Sequence, residues 1–427
     1  MRFEKLRYDK AGETLYGYEH SSGLKAFVIP RKGYSKRYAA FAAHYGSIDN
    51  EFIIPGDDKT TKVPDGIAHF LEHKLFEQED GSVMNKFSAL GSSPNAYTSF
   101  NQTVYLFSCT DRFTENLDLL LNYVQSPYIT EDSVEKEKGI IGQEIMMYQD
   151  NPGYRSFYNL LAALYEKNPV RIDIAGTIDS ISRIDKDTLY KCYNTFYHPS
   201  NMAVLVVGDV EPEGVFERVE ASIRQNDPRP EIERIYPDEP AGVRTDYTEQ
   251  KLAISMPMFQ MGYKDGFNGR DGLDLIMYET AVKVLLELIA GRSSDLYESL
   301  YNEGLINSSF DTDFMIQKSY AFSILGGESP DPVKVRDRFC WKVEEIKRKG
   351  LDQGAYDRLI RSMYGRFMRQ FNSVERISRG FISDYFKGVN MFDYLHVYDK
   401  ISFKYVSEIL NKHFNQVNLA MSVIKPV

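Results

Sequence analysis

Two histidines and a glutamate lie close together at one point of the sequence, as His69, Glu72 and His73. If this segment is helical, the three side chains project from one face, because residues three and four apart share a helix face. Two imidazoles one turn apart can bind the same Zn²⁺ ion. A glutamate beside them can accept a proton from water during metal-assisted hydrolysis. The H-x-x-E-H spacing therefore predicts a catalytic zinc site.

The alternative is that both histidines are ordinary surface or packed residues of a helix. The chain has only seven histidines in 427 residues, so a pair flanking a glutamate at this spacing is unexpected by chance. The neighbours Ile67, Phe70 and Leu71 are apolar and would bury the pair. Because buried polar groups need partners, the metal interpretation is favoured.

A third protein ligand is needed, because a catalytic zinc ion usually has three protein ligands and one open position. Two candidates, Glu137 and Glu144, lie in a helical pattern from Glu131 to Tyr148. They are about two turns apart and share a helix face, so one could bind the metal while the other supports a histidine ring. A glutamate on a helix is more often solvated, and the spacing alone does not select this pair.

These residues need a scaffold, and the sequence indicates one of mixed strands and helices. Strand-like alternation up to Tyr45 gives way to helical patterns from Gly66 to Phe76 and from Gly81 to Leu90. A hairpin pattern runs from Ala96 to Cys109, and further helices follow. The apolar run from Ala203 to Gly208 predicts a short buried strand.

The segment 225–243 carries four prolines and many charges, which is typical of a linker. It divides the chain into a zinc-bearing module, residues 1–224, and a second module, residues 244–427, which has no H-x-x-E-H. In the second module a strand from Lys251 to Met258 is followed by long helices, a hairpin-like region, more helices and a terminal strand. The order of elements recurs, and it predicts an α+β fold.

Five segments, in order, resemble the pitrilysin/insulinase family of inverzincin metallopeptidases: GIAHFLEHKLFE, SSPNAYTSFNQTVYLF, EKEKGIIGQEIMMYQDNP, AGTIDSI and FYHPSNMAVLVVGDV. The family includes the mitochondrial processing peptidase, and the likeness is greatest to its short bacterial members. The resemblance is strong over most of the first half and weak over the second. It implies two homologous α/β-roll modules, each an antiparallel-rich sheet flanked by helices.

The resemblance also implies a role for each polar residue of the site. His69, His73 and Glu144 match the zinc ligands, and Glu72 matches the general base. Glu137 matches an accessory glutamate that supports the catalytic site without binding the metal. The implied cofactor is therefore Zn²⁺.

A substrate-binding strand is implied by Asn95, Ala96 and Tyr97. In the family this strand lies at a sheet edge beside the zinc ion, and a substrate peptide adds to it as a further strand. An exposed edge offers N–H and C=O groups to any extended peptide, with little regard to its side chains. Without the neighbouring metal motif, an ordinary hairpin strand would be the simpler interpretation.

The second half departs from the family at a substrate clamp. Active relatives place an arginine and a tyrosine in a Leu-Arg…Gly-Leu-x-Tyr context, whereas this chain has Tyr301 at the arginine position and no tyrosine at the other. Either a partner subunit supplies the clamp or substrate recognition differs. Short family members associate as dimers, so the resemblance implies a homodimer or a heterodimer with a related subunit.

Composition limits the other possibilities. The net charge of −10 gives no reason to expect nucleic acid as a partner. The N-terminus has no secretory signal pattern, and no apolar run approaches the roughly 18 residues that cross a bilayer. Three scattered cysteines predict reduced thiols, so we expect a cytoplasmic protein with no membrane partner.

Together these patterns predict a zinc-dependent endopeptidase or oligopeptidase that hydrolyses peptides or unfolded segments. The main alternative is a non-catalytic or partner-dependent subunit of a processing-peptidase-like heterodimer that retains its zinc site. A hydrolase that acts on a substrate other than a peptide is a second alternative.

Overall fold

The computed structural model describes residues 2–266 and 269–427. Within these ranges the chain forms two compact units, and each is assembled from three separate stretches of sequence. The first unit comprises residues 2–145, 173–235 and 368–386. The second comprises residues 146–172, 236–367 and 387–427, apart from positions 267 and 268.

The strands of the described residues follow one another along the chain as β1 (Glu4–Tyr8), β2 (Glu13–Glu19), β3 (Lys25–Pro30), β4 (Arg37–Ala43), β5 (Glu51–Ile53), β6 (Thr60–Lys62), β7 (Glu77–Gln78), β8 (Gly81–Ser82), β9 (Ser93–Thr98), β10 (Thr103–Cys109), β11 (Met202–Gly208), β12 (Glu233–Arg234), β13 (Tyr247–Leu252), β14 (Met258–Asp265), β15 (Asp311–Ile316), β16 (Ala321–Glu328) and β17 (Leu419–Pro426).

The α-helices of the same ranges are α1 (Ile67–Leu75), α2 (Val83–Ala89), α3 (Phe113–Val124), α4 (Glu131–Gln149), α5 (Pro152–Leu164), α6 (Ile178–Ser182), α7 (Lys186–Phe196), α8 (Pro212–Ser222), α9 (Gly272–Ala290), α10 (Asp295–Asn302), α11 (Pro332–Lys349), α12 (Gln353–Gln370), α13 (Val374–Lys387), α14 (Tyr394–Lys400) and α15 (Phe403–His413). None of these helices combines the length and apolar character needed to span a membrane.

The first unit is built on a seven-stranded mixed sheet with the order β1-β2-β3-β11-β4-β10-β9. The central strand β11 is parallel to β3 and antiparallel to β4. All residues of β11 are buried, as its continuous apolar run predicts for a strand covered on both faces. β9 forms one edge of the sheet and pairs with β10.

The second unit is built on a five-stranded sheet with the order β13-β17-β14-β16-β15. β13 is parallel to β17, and the three remaining pairs are antiparallel. The same succession, one parallel pair and then three antiparallel pairs, occurs in β3-β11-β4-β10-β9 of the first sheet. The predicted α+β fold of two related modules, with element order repeated, is therefore confirmed.

Two helices belong to the unit formed mainly by the other half of the sequence. α5 packs against β13, β14 and β17 of the second sheet. α13, up to Phe386, packs on the first sheet, where the rings of Phe381 and Tyr385 lie 5.0 and 5.2 Å from the ring of Phe27. Phe386 stacks on His44 at 4.9 Å. Aromatic contacts of this kind hold α13 on β3 and on the end of β4.

The helices predicted from Gly66 to Phe76, from Gly81 to Leu90 and from Glu131 to Tyr148 are confirmed to within two residues. The strand predicted from Lys251 to Met258 is wrong. β13 ends at Leu252 and β14 begins at Met258, and the intervening turn contains Pro257, which has no N–H for a sheet ladder. The division of the chain at residues 225–243 stays a prediction. This stretch, described throughout, carries the short strand β12 and no other helix or strand.

Candidate metal centre

The helix that carries the H-x-x-E-H motif, α1, starts at a glycine that has little room for a side chain. Gly66 has φ 89°, a left-handed conformation in which glycine is favoured. A β-carbon there would lie 2.6 Å from the carbonyl oxygen of Ala175. Gly176 is fitted as closely, since its β-carbon would lie 2.6 Å from the carbonyl oxygen of Asp65. The Ala175-Gly176 segment therefore fixes where α1 begins.

α1 and α4 bring together two imidazoles and a carboxylate. Nε2 of His69 lies 3.8 Å from Oε2 of Glu144, and Nε2 of His73 lies 3.5 Å from the same oxygen. One potential ligand atom of each residue lies within 4.8 Å of the other two. Over residues 2–266 and 269–427, no other group of three His, Cys, Asp or Glu side chains is clustered in this way.

The cluster fits a zinc ion in donor type and in spacing. Ligand atoms about 2.0–2.1 Å from a tetrahedral ion lie about 3.3–3.5 Å from one another. The observed N···O separations of 3.5 and 3.8 Å are close to this value. Burial, together with the charge of His73, lowers the pKa of His69 to about 4. The His69 imidazole is therefore neutral near pH 7, as metal ligation requires.

The second carboxylate of α4 contacts the other nitrogen of the His73 ring. Nδ1 of His73 donates a hydrogen bond of 3.0 Å to Oε1 of Glu137. Burial would lower the pKa of His73, but this bond and the surrounding carboxylates outweigh it and raise that pKa. Burial would raise the pKa of Glu137, but His73 and the fully buried Lys74, 3.8 Å away, lower it instead. Glu137 is thus an ionised group that orients the His73 ring.

Glu72 is buried on α1, directly before His73 in the sequence. Its Oε2 accepts a hydrogen bond of 2.7 Å from Oγ1 of Thr98 on β9. Burial is the largest influence on this carboxyl group and raises its pKa, although Thr98 and His73 act in the opposite direction. A carboxylate with a raised pKa is a stronger base than an exposed glutamate.

β9 offers backbone groups along the edge of the first sheet. The N–H of Ser99 donates to the carbonyl of Gln102 at 2.8 Å. Along an antiparallel pair, successive residues direct their N–H and C=O groups alternately toward the partner strand and away from it. Because Ser99 faces the partner, the backbone groups of Ala96 and Thr98 face away from β10. Pro94 occupies a further outward position, where its missing N–H does not weaken the ladder. The outward groups belong to the strand whose Thr98 side chain contacts Glu72.

The structure brings the predicted metal-site residues together, while their roles remain predictions. Of the two glutamates that the spacing left open, Glu144 lies beside both Nε2 atoms and Glu137 lies beside Nδ1 of His73. The three predicted substrate-binding residues lie on β9. There Oδ1 of Asn95 accepts a hydrogen bond of 2.9 Å from the N–H of Ala96.

Three side chains of this region were not predicted from the sequence. Thr98 completes the Asn-Ala-Tyr-Thr run, and Lys74 directly follows His73. Their positions in or beside the two motifs are the sequence signal that could have identified them. The third, Arg379 of α13, has its guanidinium carbon 5.8 Å from the centre of the Tyr97 ring. Nothing in the sequence around Arg379 indicates this contact, which depends on where α13 packs.

Comparison with known proteins identifies a family. The model of "Insulinase (Peptidase family M16)" matches residues 56–178, and that of "Peptidase M16 inactive domain" matches residues 183–363. The chain is 40% identical over 429 residues to a protein of Bacillus subtilis strain 168 named "Uncharacterized zinc protease YmfH", which covers 99% of each chain. The chain therefore belongs to peptidase family M16, the insulinase and pitrilysin-like peptidases.

Solved structures share the whole fold. A chain from Alicyclobacillus acidocaldarius described as an M16-like peptidase aligns with a TM-score of 0.93 and 33% identity, over 100% of this chain and 99% of that one. Pitrilysin aligns with a TM-score of 0.76 at 15% identity, over 99% of this chain but 46% of its own length. The second likeness shows the fold alone, and it shows that pitrilysin is about twice as long.

Proposed function

We propose that the chain is a zinc-dependent peptidase that hydrolyses peptides or unfolded segments. The observation that carries the proposal is the convergence of His69, His73 and Glu144, with the buried Glu72 on the same helix. Zinc held by these three residues would act as a Lewis acid and make water easier to deprotonate at neutral pH. Membership of the peptidase family supports the same reaction.

Glu72 is the residue that would move protons. It accepts a proton from the water that attacks the scissile carbonyl carbon and passes this proton to the amine that leaves. The hydrogen bond from Thr98 fixes one of its oxygens, and burial makes it a stronger base. Glu137 holds the His73 ring and takes no part in proton transfer.

The substrate would lie along β9 as an added strand. Ala96 and Thr98 direct their backbone groups outward, and these would pair with the main chain of an extended peptide. Main-chain pairing needs an extended segment but no particular side chain, so it favours peptides and unfolded segments over folded proteins. For a peptide to use the Ala96 N–H, the side chain of Asn95 must first release it.

A partner-dependent subunit is the second candidate. The observation that favours it is Tyr301, half exposed on α10, at the position where the family resemblance implies an arginine. On this alternative the zinc site is intact, and cleavage needs a homodimeric or heterodimeric partner that supplies the missing contact.

Cys109, Cys192 and Cys340 are free thiols, which supports the proposed cytoplasmic location.

The test compares zinc content and peptide cleavage in the unaltered chain, in Glu72→Gln and in the control Glu135→Gln. Glu135 is exposed on α4 and pairs with Lys138, away from the histidines. Glu72→Gln should retain zinc and lose about 100-fold or more of the cleavage rate, the usual contribution of a general base. A chain that holds no zinc, or a Glu72→Gln variant that cleaves normally, would show that the mechanism is wrong.

A further inference from the structure

An arginine from the second half of the sequence lies beside the proposed substrate strand. Arg379 is exposed on α13, and its guanidinium carbon lies 5.8 Å from the centre of the Tyr97 ring. The same guanidinium interacts electrostatically with the hydroxyl of Tyr38 on β4. α13 itself is anchored on this sheet by Phe381, Tyr385 and Phe386. Arg379 is therefore held at the β9 edge by two aromatic residues and a packed helix.

Arg379 has no acidic partner among the described residues. The nearest acidic residue along its own helix face is Glu375, one turn earlier, and Glu375 pairs with Lys36 and accepts a hydrogen bond of 2.8 Å from Ser373. No ion pair joins a described carboxylate to the Arg379 guanidinium. An arginine that stacks on an aromatic ring but lacks a carboxylate keeps donors available for an incoming anion.

The geometry of β9 decides which part of a bound peptide this arginine can contact. Side chains alternate along a strand, and Thr98 points to the face of the sheet where Glu72 lies. Tyr97 therefore points to the opposite face, where α13 packs and Arg379 is found. A peptide residue that pairs with Tyr97 directs its side chain to this same face, with its Cβ about 5 Å from the Cβ of Tyr97.

We propose that Arg379 and Tyr97 form a specificity site for an acidic side chain of the substrate, at the peptide position that pairs with Tyr97. This inference rests on the proposed function, because it places a peptide along β9. The peptide main chain pairs with Ala96 and Thr98, and the carboxylate of the neighbouring glutamate or aspartate meets the guanidinium. Two parallel N–H···O bonds give such a pair its directional preference.

The size of the preference follows from exposure. Arg379 is exposed on its outer side, so the contact resembles a partly screened ion pair and favours glutamate over lysine by about fivefold. The whole chain carries a net charge of −10, which favours basic peptides in general. The proposal therefore predicts a preference for an acidic residue at the position that pairs with Tyr97, in a chain whose overall charge favours basic peptides.

The experiment measures binding of fluorescent peptides to the Glu72→Gln variant by anisotropy, so that no peptide is cleaved. The peptides share one composition and one net charge, and a glutamate and a lysine are exchanged between positions along an otherwise uniform sequence. Binding should be about fivefold tighter for glutamate at the position that pairs with Tyr97. Placing the glutamate one position to either side should remove this fivefold increase in affinity, since the glutamate side chain would then point to the face of the sheet where Glu72 lies.

Three further substitutions in the same background decide the role of Arg379. Arg379→Glu should reverse the preference, and Arg379→Lys should retain it in weaker form. The control Arg376→Glu changes the same charge on the same exposed helix surface and should leave the preference intact. An Arg379→Glu variant with an unchanged preference, or a chain that binds none of the peptides, overturns the proposal. Cleavage by the zinc-loaded unaltered chain is measured separately, so failure of the peptidase proposal and failure of this inference are distinguished.

Discussion

At the scale of single residues, the carboxylate of Glu137 is positioned to affect zinc binding without being one of the proposed ligands. It bonds to Nδ1 of His73 and so determines that Nε2 faces Glu144. Glu137→Gln keeps an oxygen that can accept this bond but removes its charge. We therefore expect zinc affinity to fall by about tenfold, at the lower end of the range for such partners.

Competition with a chromophoric zinc chelator measures this affinity directly. Glu135→Gln on the same helix is the matched control, since its exposed carboxylate contacts Lys138. Equal zinc affinities of the unaltered chain and Glu137→Gln would show that the His73 ring does not depend on this charge.

A substitution at Thr98 can distinguish the contribution of the proposed base Glu72 from that of zinc binding. Its hydroxyl donates to Glu72 at 2.7 Å and makes no contact with a proposed ligand among the contacts described. Thr98→Val has nearly the same shape but no hydroxyl, and hydrogen bonds to charged groups contribute about 1.5–3 kcal/mol. We expect kcat/KM to fall by about tenfold or more with zinc affinity unchanged, and Thr98→Ser to restore most of the activity.

Steady-state peptide cleavage and a chelator titration on the same preparations give both quantities. A Thr98→Val variant that loses zinc and activity in parallel would mean that Thr98 supports the metal centre and not the base.

The parts of the site that could be predicted are those that one helix determines by itself. His69, Glu72 and His73 share a face because of local helix geometry, and the pair Glu137 and Glu144 does so for the same reason. Which of the two glutamates meets the Nε2 atoms depends on how α4 packs against α1, and spacing alone left that open. Arg379 was beyond prediction, since its place beside Tyr97 depends on a helix that folds back from far along the chain.

At the scale of elements, two of the helices that the sequence did not predict belong to the unit formed mainly by the other half of the chain. α1 and α4 agree with their predicted bounds to within one residue, whereas α5 and α13 were not assigned. α5 belongs to the second unit, and α13, up to Phe386, belongs to the first. Their burial partners lie far away in sequence, so no local pattern identifies the surface that they cover.

One buried charge cluster shows what fixes α9 in the second unit. Glu279 of α9 contacts Lys283 at 2.9 Å and Lys387 at 2.8 Å, and accepts a hydrogen bond of 2.9 Å from Tyr394. Burial would raise the pKa of Glu279, but the two lysines outweigh it and lower that pKa from 4.5 to about 2. The folded chain therefore prefers the ionised form of Glu279.

Glu279→Gln should lower the free energy of unfolding by about 3 kcal/mol at pH 7, because it removes the buried negative charge that both ammonium groups contact. A depressed pKa stabilises the fold fully above about pH 4.5, and this contribution declines as the pH falls toward 2. The difference between the two proteins should thus narrow as the pH falls from about 4.5 toward 2, as measured by urea unfolding.

Glu303→Gln is the control for this comparison. Glu303 pairs with Arg338 at 3.0 Å but is exposed, so its substitution should lower the free energy of unfolding much less than Glu279→Gln does. A Glu279→Gln variant as stable as this control at pH 7 would show that the cluster does not stabilise the second unit.

At the scale of the whole molecule, the two sheets repeat one strand order, but only the first unit carries the H-x-x-E-H helix. The second sheet ends at β15 in the position that β9 holds in the first. Within the part of the chain that the structure describes, the two modules thus carry one candidate metal centre, whereas pitrilysin has about twice this length in one chain. Two copies, or one copy and a related subunit, would provide the same number of modules.

We expect the chain to act as a dimer for this reason. Sedimentation velocity over a dilution series should show a species of about twice the 49.2 kDa chain mass, and cleavage per chain should decline as that species dissociates. If the chain sediments as an inactive monomer that binds zinc, a related subunit is required, and adding it should restore cleavage and shift the sedimenting mass together. A monomer with full peptidase activity at every dilution would contradict both forms of the prediction, because one chain would then supply every contact that the reaction needs.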